Sequence, residues 1–388
     1  MFRPNLGRSS VIFVVKTTKY CNLRCTYCYE FNELGDRSRM SLDDIRRFFE
    51  NIKPWALQQK FEKLRFSWHG GEPLLLPLNY YDSIRAYQQQ VFGTSVRLWN
   101  AVQTNLTVLT DRHIEYLKSG WLFDSIGISF DVFGDQRCDI NGKLRTETIL
   151  RNMQRLIDNE VSFGAISVLS RNTLGRERDV YRFYDTLGIH SRLLPFYLIS
   201  NAGQADTHGL TNDEITEALK VLFAAWLSSK RATPVQPIED YLKFAIAILM
   251  DTPRRYYNRR QDESVFIVNT NGGIWNEGEG YDPAYCYGNV FEETFESILA
   301  SPNREKAIVA SEARQAKYCG NCPHFGHCDG SYVADAAATE QEALAHSGCR
   351  VRDFLDHMVN VLSRSKLFDE LVASNSTRSI EPALEITL

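Results

Sequence analysis

Residues 11–28 read VIFVVKTTKYCNLRCTYC, an apolar run that passes directly into three closely spaced cysteines. The run Val11–Val15 is short and rich in β-branched residues, which is typical of a buried strand. Cys21, Cys25 and Cys28 follow within one loop. In a parallel sheet this loop lies at the carboxyl end of the strand, where such architectures place their active sites. We therefore interpret the segment as a strand followed by a loop whose three cysteines lie at the active-site edge of the sheet.

The alternation of strand and helix repeats along the first two thirds of the chain. Capping sequences at Ser41 and Thr211 mark helix starts, and an amphipathic stripe of apolar residues spans Ile149 to Ile157. Strands are predicted at Val11–Val15, Leu64–Trp68, Leu98–Val102, Ser125–Phe130, Ala165–Leu169 and Arg192–Tyr197. About six such units imply a parallel sheet with right-handed crossovers. Because a closed barrel needs eight, we predict an α/β fold with a partial (β/α)6 TIM-like barrel.

The pattern changes after about residue 234. An apolar helix is predicted at Ile238–Met250, a hairpin at Val265–Trp275 and a final helix at Arg350–Leu367, with the cysteines between them in loop-like sequence. We predict four parts: a core at 1–235, a helical connector at 236–263, a cysteine-bearing domain at 264–367 and a C-terminal tail at 368–388.

The overall composition is that of a soluble globular protein. The 388 residues carry 44 basic and 48 acidic side chains, and 44% of the residues are hydrophobic. This balance excludes disorder and argues against nucleic acid as the main partner. The apolar runs are far shorter than the roughly 20 residues of a membrane helix, and Met1–Asn5 has no signal-like apolar region. We expect a cytoplasmic protein that binds neither nucleic acid nor membrane.

The cysteines are numerous and clustered. There are nine, an odd number that prevents complete pairing within one chain. In a cytosolic chain, clustered thiols favour metal binding over disulfides. Three thiolates can hold three irons of a cubane cluster and leave the fourth iron open, as a reactive centre requires. The alternatives are a zinc knuckle, for which His69 is a candidate fourth ligand, and buried thiols that bind no metal.

The spacing CxxxCxxC after the first strand, with Tyr27 before the last cysteine, resembles the radical S-adenosylmethionine (SAM) enzymes. In that family the three cysteines bind a [4Fe–4S] cluster, and SAM chelates the open iron. The resemblance implies that Cys21, Cys25 and Cys28 are these ligands. It also implies that one electron from the cluster splits SAM, and that the resulting 5′-deoxyadenosyl radical abstracts hydrogen from a substrate.

Motifs at the ends of other predicted strands fit the same family. Trp68-His-Gly-Gly-Glu-Pro73 resembles the family motif that receives the amino group of SAM. Polar side chains after the third and fourth strands are candidates for contacts to the ribose or carboxylate of SAM, and an arginine can pair with the carboxylate through two hydrogen bonds. The resemblance implies SAM contacts from Tyr27, Gly70, Gly71, Glu72, Asn105, Ser129 and Arg137.

A second cysteine cluster consists of Cys319, Cys322, Cys328 and Cys349. Four soft thiolates suit zinc or a fully ligated iron–sulfur cluster, and spacing does not choose between them. Next to a radical SAM core the pattern resembles the C-terminal SPASM extension, which carries auxiliary [4Fe–4S] clusters. The full extension has seven cysteines, but here only Cys286 remains of the set for the cluster nearer the active site. We predict one auxiliary cluster held by the four cysteines, and two clusters in total; replacement of one ligand by Cys286 is the alternative.

The resemblance also implies a substrate class. Enzymes with this extension mostly modify peptides or proteins, and the segments around Lys16 and Ser129 look most like the cyclophane-forming maturases of ribosomally synthesised peptides. We predict that a precursor peptide is cross-linked between an aromatic ring carbon and a β-carbon, with a flavodoxin or ferredoxin as electron donor. The alternatives are thioether or formylglycine formation on the same scaffold and, in another class, a non-enzymatic zinc protein. The sequence does not identify a general base.

Overall fold

The computed structural model describes residues 10–196, 207–278 and 280–364. Its strands join into one sheet that forms the centre of the molecule. They are β1 (Ser10–Thr18), β2 (Lys63–Gly70), β3 (Arg97–Thr104), β4 (Ser125–Ser129), β5 (Gly164–Leu169), β6 (Ser191–Pro195), β7 (Val235–Gln236), β8 (Val265–Val268), β9 (Gly273–Trp275) and β10 (Gly288–Asn289).

The described residues contribute ten strands to this sheet, in the order β10-β9-β8-β1-β2-β3-β4-β5-β6-β7. Neighbouring strands from β8 through β1 to β7 are parallel, whereas β9 and β10 pair antiparallel. The six predicted strands are present as β1 to β6, and the predicted α/β fold with an open, mainly parallel sheet is confirmed. Tyr197, at the end of the sixth predicted strand, lies outside the described residues. Because β1 to β6 are parallel, their carboxyl ends form one common mouth.

The predicted hairpin is also present, but it continues the core sheet. β8 and β9 pair antiparallel, and β8 lies parallel to β1, with Val265 opposite Ile12. Periodicity predicts a strand but not the strand with which it pairs, so the sequence did not indicate the pairing of β8 with β1. The two-residue strand β7 is too short to produce a recognisable pattern. The boundary at residue 264 stays a prediction.

Helices cover the sheet, and the capping sequences at two of their starts are confirmed. At Ser41 and at Thr211 the side chain accepts a hydrogen bond from the third helical residue, whose own side chain accepts one in return. The α-helices that lie wholly within the described residues are α1 (Leu42–Gln58), α2 (Leu78–Phe92), α3 (Asp111–Ser119), α4 (Thr146–Asp158), α5 (Glu177–Leu187), α6 (Asn212–Ser228), α7 (Ile238–Leu249), α8 (Arg259–Asp262), α9 (Phe295–Leu299), α10 (Pro302–Cys319), α11 (Ser331–Ala334), α12 (Ala338–Ser347) and α13 (Arg350–Ser363).

Three helices differ in part from the sequence prediction. The stripe predicted in α4 is narrower, because Leu150 and Ile157 are 38% and 37% exposed. α13 is described to Ser363, and residues 365–367 of the predicted helix lie outside the described residues. The prediction that Cys319 lies in a loop is wrong, because it ends the long helix α10. The buried face of α10 is made largely of small residues, which hides its helical period.

An aromatic core fixes β1, the strand that carries the first cysteines. Phe13 stacks on Phe66 of β2 and Phe266 of β8, with ring centroids 5.8 and 5.9 Å apart. Phe48 of α1 and Phe295 of α9 meet it edge-on. Burial of each such ring stabilises the fold by roughly 1.5–3 kcal/mol. The start of the cysteine loop is therefore held by a rigid part of the molecule.

No helix within residues 10–196, 207–278 and 280–364 has the length and apolar character that crossing a membrane requires.

Candidate active site

The three cysteines of the first cluster lie together in the loop after β1. Cys21 and Cys25 are buried in a small apolar cluster with Leu23 and Leu34, and Cys28 packs against it. The loop closes through hydrogen bonds from the Cys21 N–H to the carbonyl of Leu34 and from the Cys28 N–H to the carbonyl of Cys25. The structure thus brings the three predicted ligands to the mouth of the sheet.

A second loop, residues 134–145 after β4, holds the cysteine loop in place. The N–H of Arg24 donates to the carbonyl of Cys138 at 2.7 Å, and the N–H of Thr26 donates to Gln136 at 3.0 Å. The Cys138 thiol donates in return to the carbonyl of Arg24 at 2.9 Å. Nothing in the spacing of these residues indicates the contact, because the two loops are more than 100 residues apart in sequence.

Arg137 and Tyr27 meet at the carboxylate of Asp131, which is not among the predicted site residues. Asp131 accepts hydrogen bonds from Arg137 Nε at 2.9 Å, from the Tyr27 hydroxyl, and from the Val168 N–H at 2.8 Å. Arg137 Nη1 also lies 3.9 Å from Cys25 Sγ. The signal that could have identified Asp131 is its position, since it is a carboxylate just past the carboxyl end of β4.

Gly70 and Gly71 allow β2 to approach the start of the cysteine loop. A Cβ atom on Gly71 would lie 2.2 Å from the carbonyl oxygen of Tyr20, and one on Gly70 would lie 2.3 Å from that of Thr18. The N–H of Gly71 donates to Thr18, and the N–H of Glu72 donates to Tyr20. In this structure the glycines therefore serve a contact within the chain, and their contact with SAM stays a prediction.

The carboxylate of Glu72 is fully buried and already accepts three hydrogen bonds. They come from the N–H groups of Leu74 and Asn105, at 2.9 and 2.6 Å, and from the Thr104 hydroxyl at 2.7 Å. Burial raises the pKa of Glu72 to about 7. Glu72 thereby joins the ends of β2 and β3, and a direct contact with the SAM amino group stays a prediction.

Asn105 and Ser129 have different surroundings. The Asn105 amide donates to Asn22 Oδ1 at 3.0 Å and lies 3.6 Å from Cys21 Sγ, so it supports the cysteine loop. Ser129 is partly exposed and accepts a hydrogen bond from Gln103 Nε2 at 2.8 Å. Gln103 Oε1 is buried and has no partner among the described residues. Gln103 and Ser129 thus present an acceptor and a hydroxyl that a ribose could use.

The chemistry of the first three thiols fits an iron–sulfur cluster. Burial, followed by the charge of Glu72, raises the pKa of Cys21 to about 12, and burial raises that of Cys25 to about 11. Buried thiols that resist ionisation become thiolates when a cation is bound between them. No three His, Cys, Asp or Glu side chains of the described chain converge on one metal ion. A cubane places its thiolates on separate irons, so it does not need that convergence.

The second set of cysteines lines one cavity of about 160 Å³ in the C-terminal part. Cys319, Cys322, Cys328 and Cys349 all contribute to its wall. Burial raises the pKa of the Cys319 thiol to about 12, with the neighbouring cysteines as the next cause. Cys286 is not part of this wall, and its Sγ lies 3.6 Å from the carbonyl of Gly288. The structure brings together the four predicted ligands without Cys286, and their metal stays a prediction.

Comparisons with known proteins agree with this site. Residues 15–183 match the Radical SAM superfamily. A cysteine-type anaerobic sulfatase-maturating enzyme of Clostridium novyi is 22% identical over 83% of this chain and 87% of its own length. A serine-type anaerobic sulfatase-maturating enzyme of Bacteroides thetaiotaomicron is 22% identical over 80% of this chain and 79% of its own length.

Solved structures share the fold at low sequence identity. Native anSMEcpe with bound AdoMet and the Cp18Cys peptide aligns with a TM-score of 0.67 at 17% identity, over 90% of this chain and 99% of that one. SuiB of Streptococcus suis bound to S-adenosylmethionine aligns with a TM-score of 0.57 at 13% identity, over 84% of this chain and 76% of that one. With the superfamily match and the thiol loop at its mouth, the chain contains a radical SAM domain whose cofactors are SAM and a [4Fe–4S] cluster.

Proposed function

We propose that this protein is a radical SAM oxidoreductase that oxidises a side chain of a peptide or protein substrate. The observation that carries the proposal is the pairing of two thiol sets in one chain. Three thiols lie in a loop at the mouth of the sheet, and four line a separate cavity. Three thiolates leave one iron of a cubane open for SAM. Four thiolates supply a ligand to every iron of a cubane, and a fully ligated cluster is suited to electron transfer.

The chain's own residues prepare the first site. When bound, SAM and the three-thiolate cluster supply a 5′-deoxyadenosyl radical that removes a hydrogen atom from the substrate. The loop at 134–145 holds the thiols, and Asp131 fixes both Arg137 and Tyr27 beside Cys25. Overall the substrate loses that hydrogen atom, one further electron and one proton. A [4Fe–4S] cluster held by Cys319, Cys322, Cys328 and Cys349 would supply an acceptor for that electron.

The first candidate product is a cyclophane in a ribosomally synthesised precursor peptide. In this reaction an aromatic ring carbon is joined to the β-carbon of a nearby residue. The resemblance of the segments around Lys16 and Ser129 to cyclophane-forming maturases supports it. A flavodoxin or ferredoxin is the proposed source of the first electron.

Formylglycine formation is the second candidate, and the names of the relatives favour it. Both the cysteine-type and the serine-type relatives are sulfatase-maturating enzymes, and each aligns over about four fifths of this chain. The substrate would then be a serine or cysteine side chain that becomes an aldehyde. The same removal of one hydrogen atom, one electron and one proton converts serine directly into the aldehyde. From cysteine it gives a thioaldehyde, which water hydrolyses to the aldehyde with release of hydrogen sulfide.

Co-expression of the full chain with a short peptide taken from a gene next to its own separates the two products. A cyclophane loses two hydrogens, keeps every heavy atom and does not react with a hydrazide. An aldehyde reacts with the hydrazide, and one formed from cysteine also loses sulfur. The Cp18Cys peptide serves as a second substrate, and its conversion to an aldehyde would favour formylglycine formation. If neither peptide changes while SAM is cleaved, the peptide-modifying function is wrong.

A further inference from the structure

His69 lies at the carboxyl end of β2, directly before the two glycines that contact the cysteine loop. In the register of β1 and β2 it is opposite Lys16, so both side chains point to the same face of the sheet. The preceding residue, Trp68, is fully buried and meets Phe49 of α1 on the other face. Since side chains alternate along a strand, His69 faces the interior of the barrel.

The hydrogen bonding of His69 fixes its tautomer. The N–H of Gly70 donates to Nδ1 of His69 at 2.9 Å. Nδ1 therefore carries no proton, and in the neutral ring the proton lies on Nε2. Nε2 makes no hydrogen bond within the described chain, and the described residues leave it accessible, because His69 is only half-buried. His69 thus presents one N–H donor to the space at the mouth.

The surroundings of His69 keep its ring neutral, and Lys16, the nearby cation, is fixed by hydrogen bonds. Burial and then the ammonium of Lys16 lower the pKa of His69 to about 3. Lys16 Nζ donates to Glu30 at 2.7 Å and also to the hydroxyl of Tyr29. Tyr281, from the loop after β9, stacks on Tyr29 with ring centroids 6.2 Å apart. Lys16 is therefore fixed by side chains, whereas the donor of His69 remains available.

This group of side chains lies beside the first cysteine cluster. Tyr29 and Glu30 directly follow Cys28, and all three are partly exposed, as His69 is. Tyr281 also packs against Trp275 of β9, at 6.0 Å between ring centroids. The wall that includes His69 is therefore built from both the core and the C-terminal part of the chain, next to the three thiols.

We propose that His69 positions the peptide substrate by donating a hydrogen bond from Nε2 to an acceptor on the residue that is oxidised. The proposal rests on the peptide-modifying function given above. A neutral donor suits this place, because it holds an acceptor without adding a second cation beside Lys16. The acceptor is the main-chain carbonyl of that residue or the heteroatom of its side chain.

The test compares His69→Leu and His69→Gln with the wild type, as full-length, anaerobically reconstituted enzymes. The probe is the peptide that the co-expression experiment finds modified, so failure of the proposed function is seen before His69 is changed. The Kd of the peptide for each enzyme is measured by fluorescence anisotropy with SAM present. The amount of 5′-deoxyadenosine formed is then compared with the amount of modified peptide. His190→Leu is the control for removal of a histidine away from the mouth, since His190 is buried, lies directly before β6 at the opposite end of the sheet and contacts Glu239.

We expect H69L to weaken peptide binding roughly three- to tenfold, as loss of one neutral hydrogen bond does. Compared with the wild type, H69L should then form more 5′-deoxyadenosine for each modified peptide. H69Q keeps an N–H donor at a similar reach and should stay within about twofold of the wild type, as should H190L. Wild-type peptide affinity in H69L, or equal losses in H69Q and H69L, would overturn the proposal. Loss of SAM binding or iron in H69L would also overturn it, by assigning His69 to the cofactor site.

A second comparison identifies the acceptor. The oxidised residue of the peptide is replaced by alanine, and binding to wild type and H69L is measured again. If H69L still weakens binding, the acceptor is the main-chain carbonyl; if the difference disappears, it is the side-chain heteroatom.

Discussion

Arg137 donates a hydrogen bond of 2.9 Å from Nε to Oδ2 of Asp131, and both side chains are buried. Removal of the cation would leave the Asp131 carboxylate buried without its ionic partner. We expect Arg137→Met to lower the free energy of unfolding by about 3–5 kcal/mol, as breaking other buried ion pairs does. Urea unfolding measures the loss, with Arg151→Met at an exposed position as the control. Equal stability of the two variants would show that the pair does not support this site.

The second prediction concerns the close contact at Gly71. Gly71→Ala would place a Cβ atom 2.2 Å from the Tyr20 carbonyl, one residue before Cys21. Because the obstacle is backbone, the cysteine loop has to move, and we expect the reconstituted variant to hold less iron. Gly35→Ala is the control, since its Cβ would meet only a side-chain nitrogen of Arg24 at 3.9 Å. Normal iron content in G71A would contradict this account of the glycine pair.

Iron content also tests the assignment of the second cysteine set. Two cubanes correspond to about eight irons per chain. We expect Cys322→Ser to reduce this number to about four, because Cys322 lines the four-thiol cavity. Cys286→Ser should retain about eight, since Cys286 lies outside that cavity. Loss of iron in C286S with normal iron in C322S would favour the alternative ligand set.

From the raised pKa of Glu72 we expect the free energy of unfolding to fall as the pH rises. Burial raises its pKa from 4.5 to about 7, so the folded protein keeps this proton to a higher pH than the unfolded chain. The stabilisation that the folded protein gains by holding this proton is complete below pH 4.5 and is lost as the pH rises to about 7. Relative to Glu72→Gln, the SAM-free wild type should therefore lose about 3 kcal/mol of unfolding free energy between pH 4.5 and 8. Parallel pH profiles of the two proteins would contradict the raised pKa.

Much of the fold followed from local patterns in the sequence. The six strands β1 to β6 and the capped starts of α1 and α6 have strong local signals, namely β-branched runs and capping boxes. The parallel pairing of β8 with β1 was missed, because periodicity does not specify which strands become neighbours. Helix α10 was missed because its buried face is made largely of small residues.

The site was predictable in its cysteines and less so in the residues around them. Spacing predicted which thiols lie together in space, although Cys349 stands apart from the other three of its set in sequence, and the metal of each set stays a prediction. The roles of Asp131 and of the loop that contains Cys138 depend on contacts between distant segments, which no local pattern encodes. The close approach of Gly70 and Gly71 to the backbone of Thr18 and Tyr20 is a further contact between distant segments, and the contact of these glycines with SAM stays a prediction.

The central claim is that Cys21, Cys25 and Cys28 hold the cluster that cleaves SAM. The most direct measurement is 5′-deoxyadenosine formation from SAM by the anaerobically reconstituted, dithionite-reduced protein, compared with the variant in which all three cysteines are serine. We predict formation by the wild type and none by the triple variant. Formation by the triple variant, or a wild type that binds zinc without iron and leaves SAM intact, would contradict the claim.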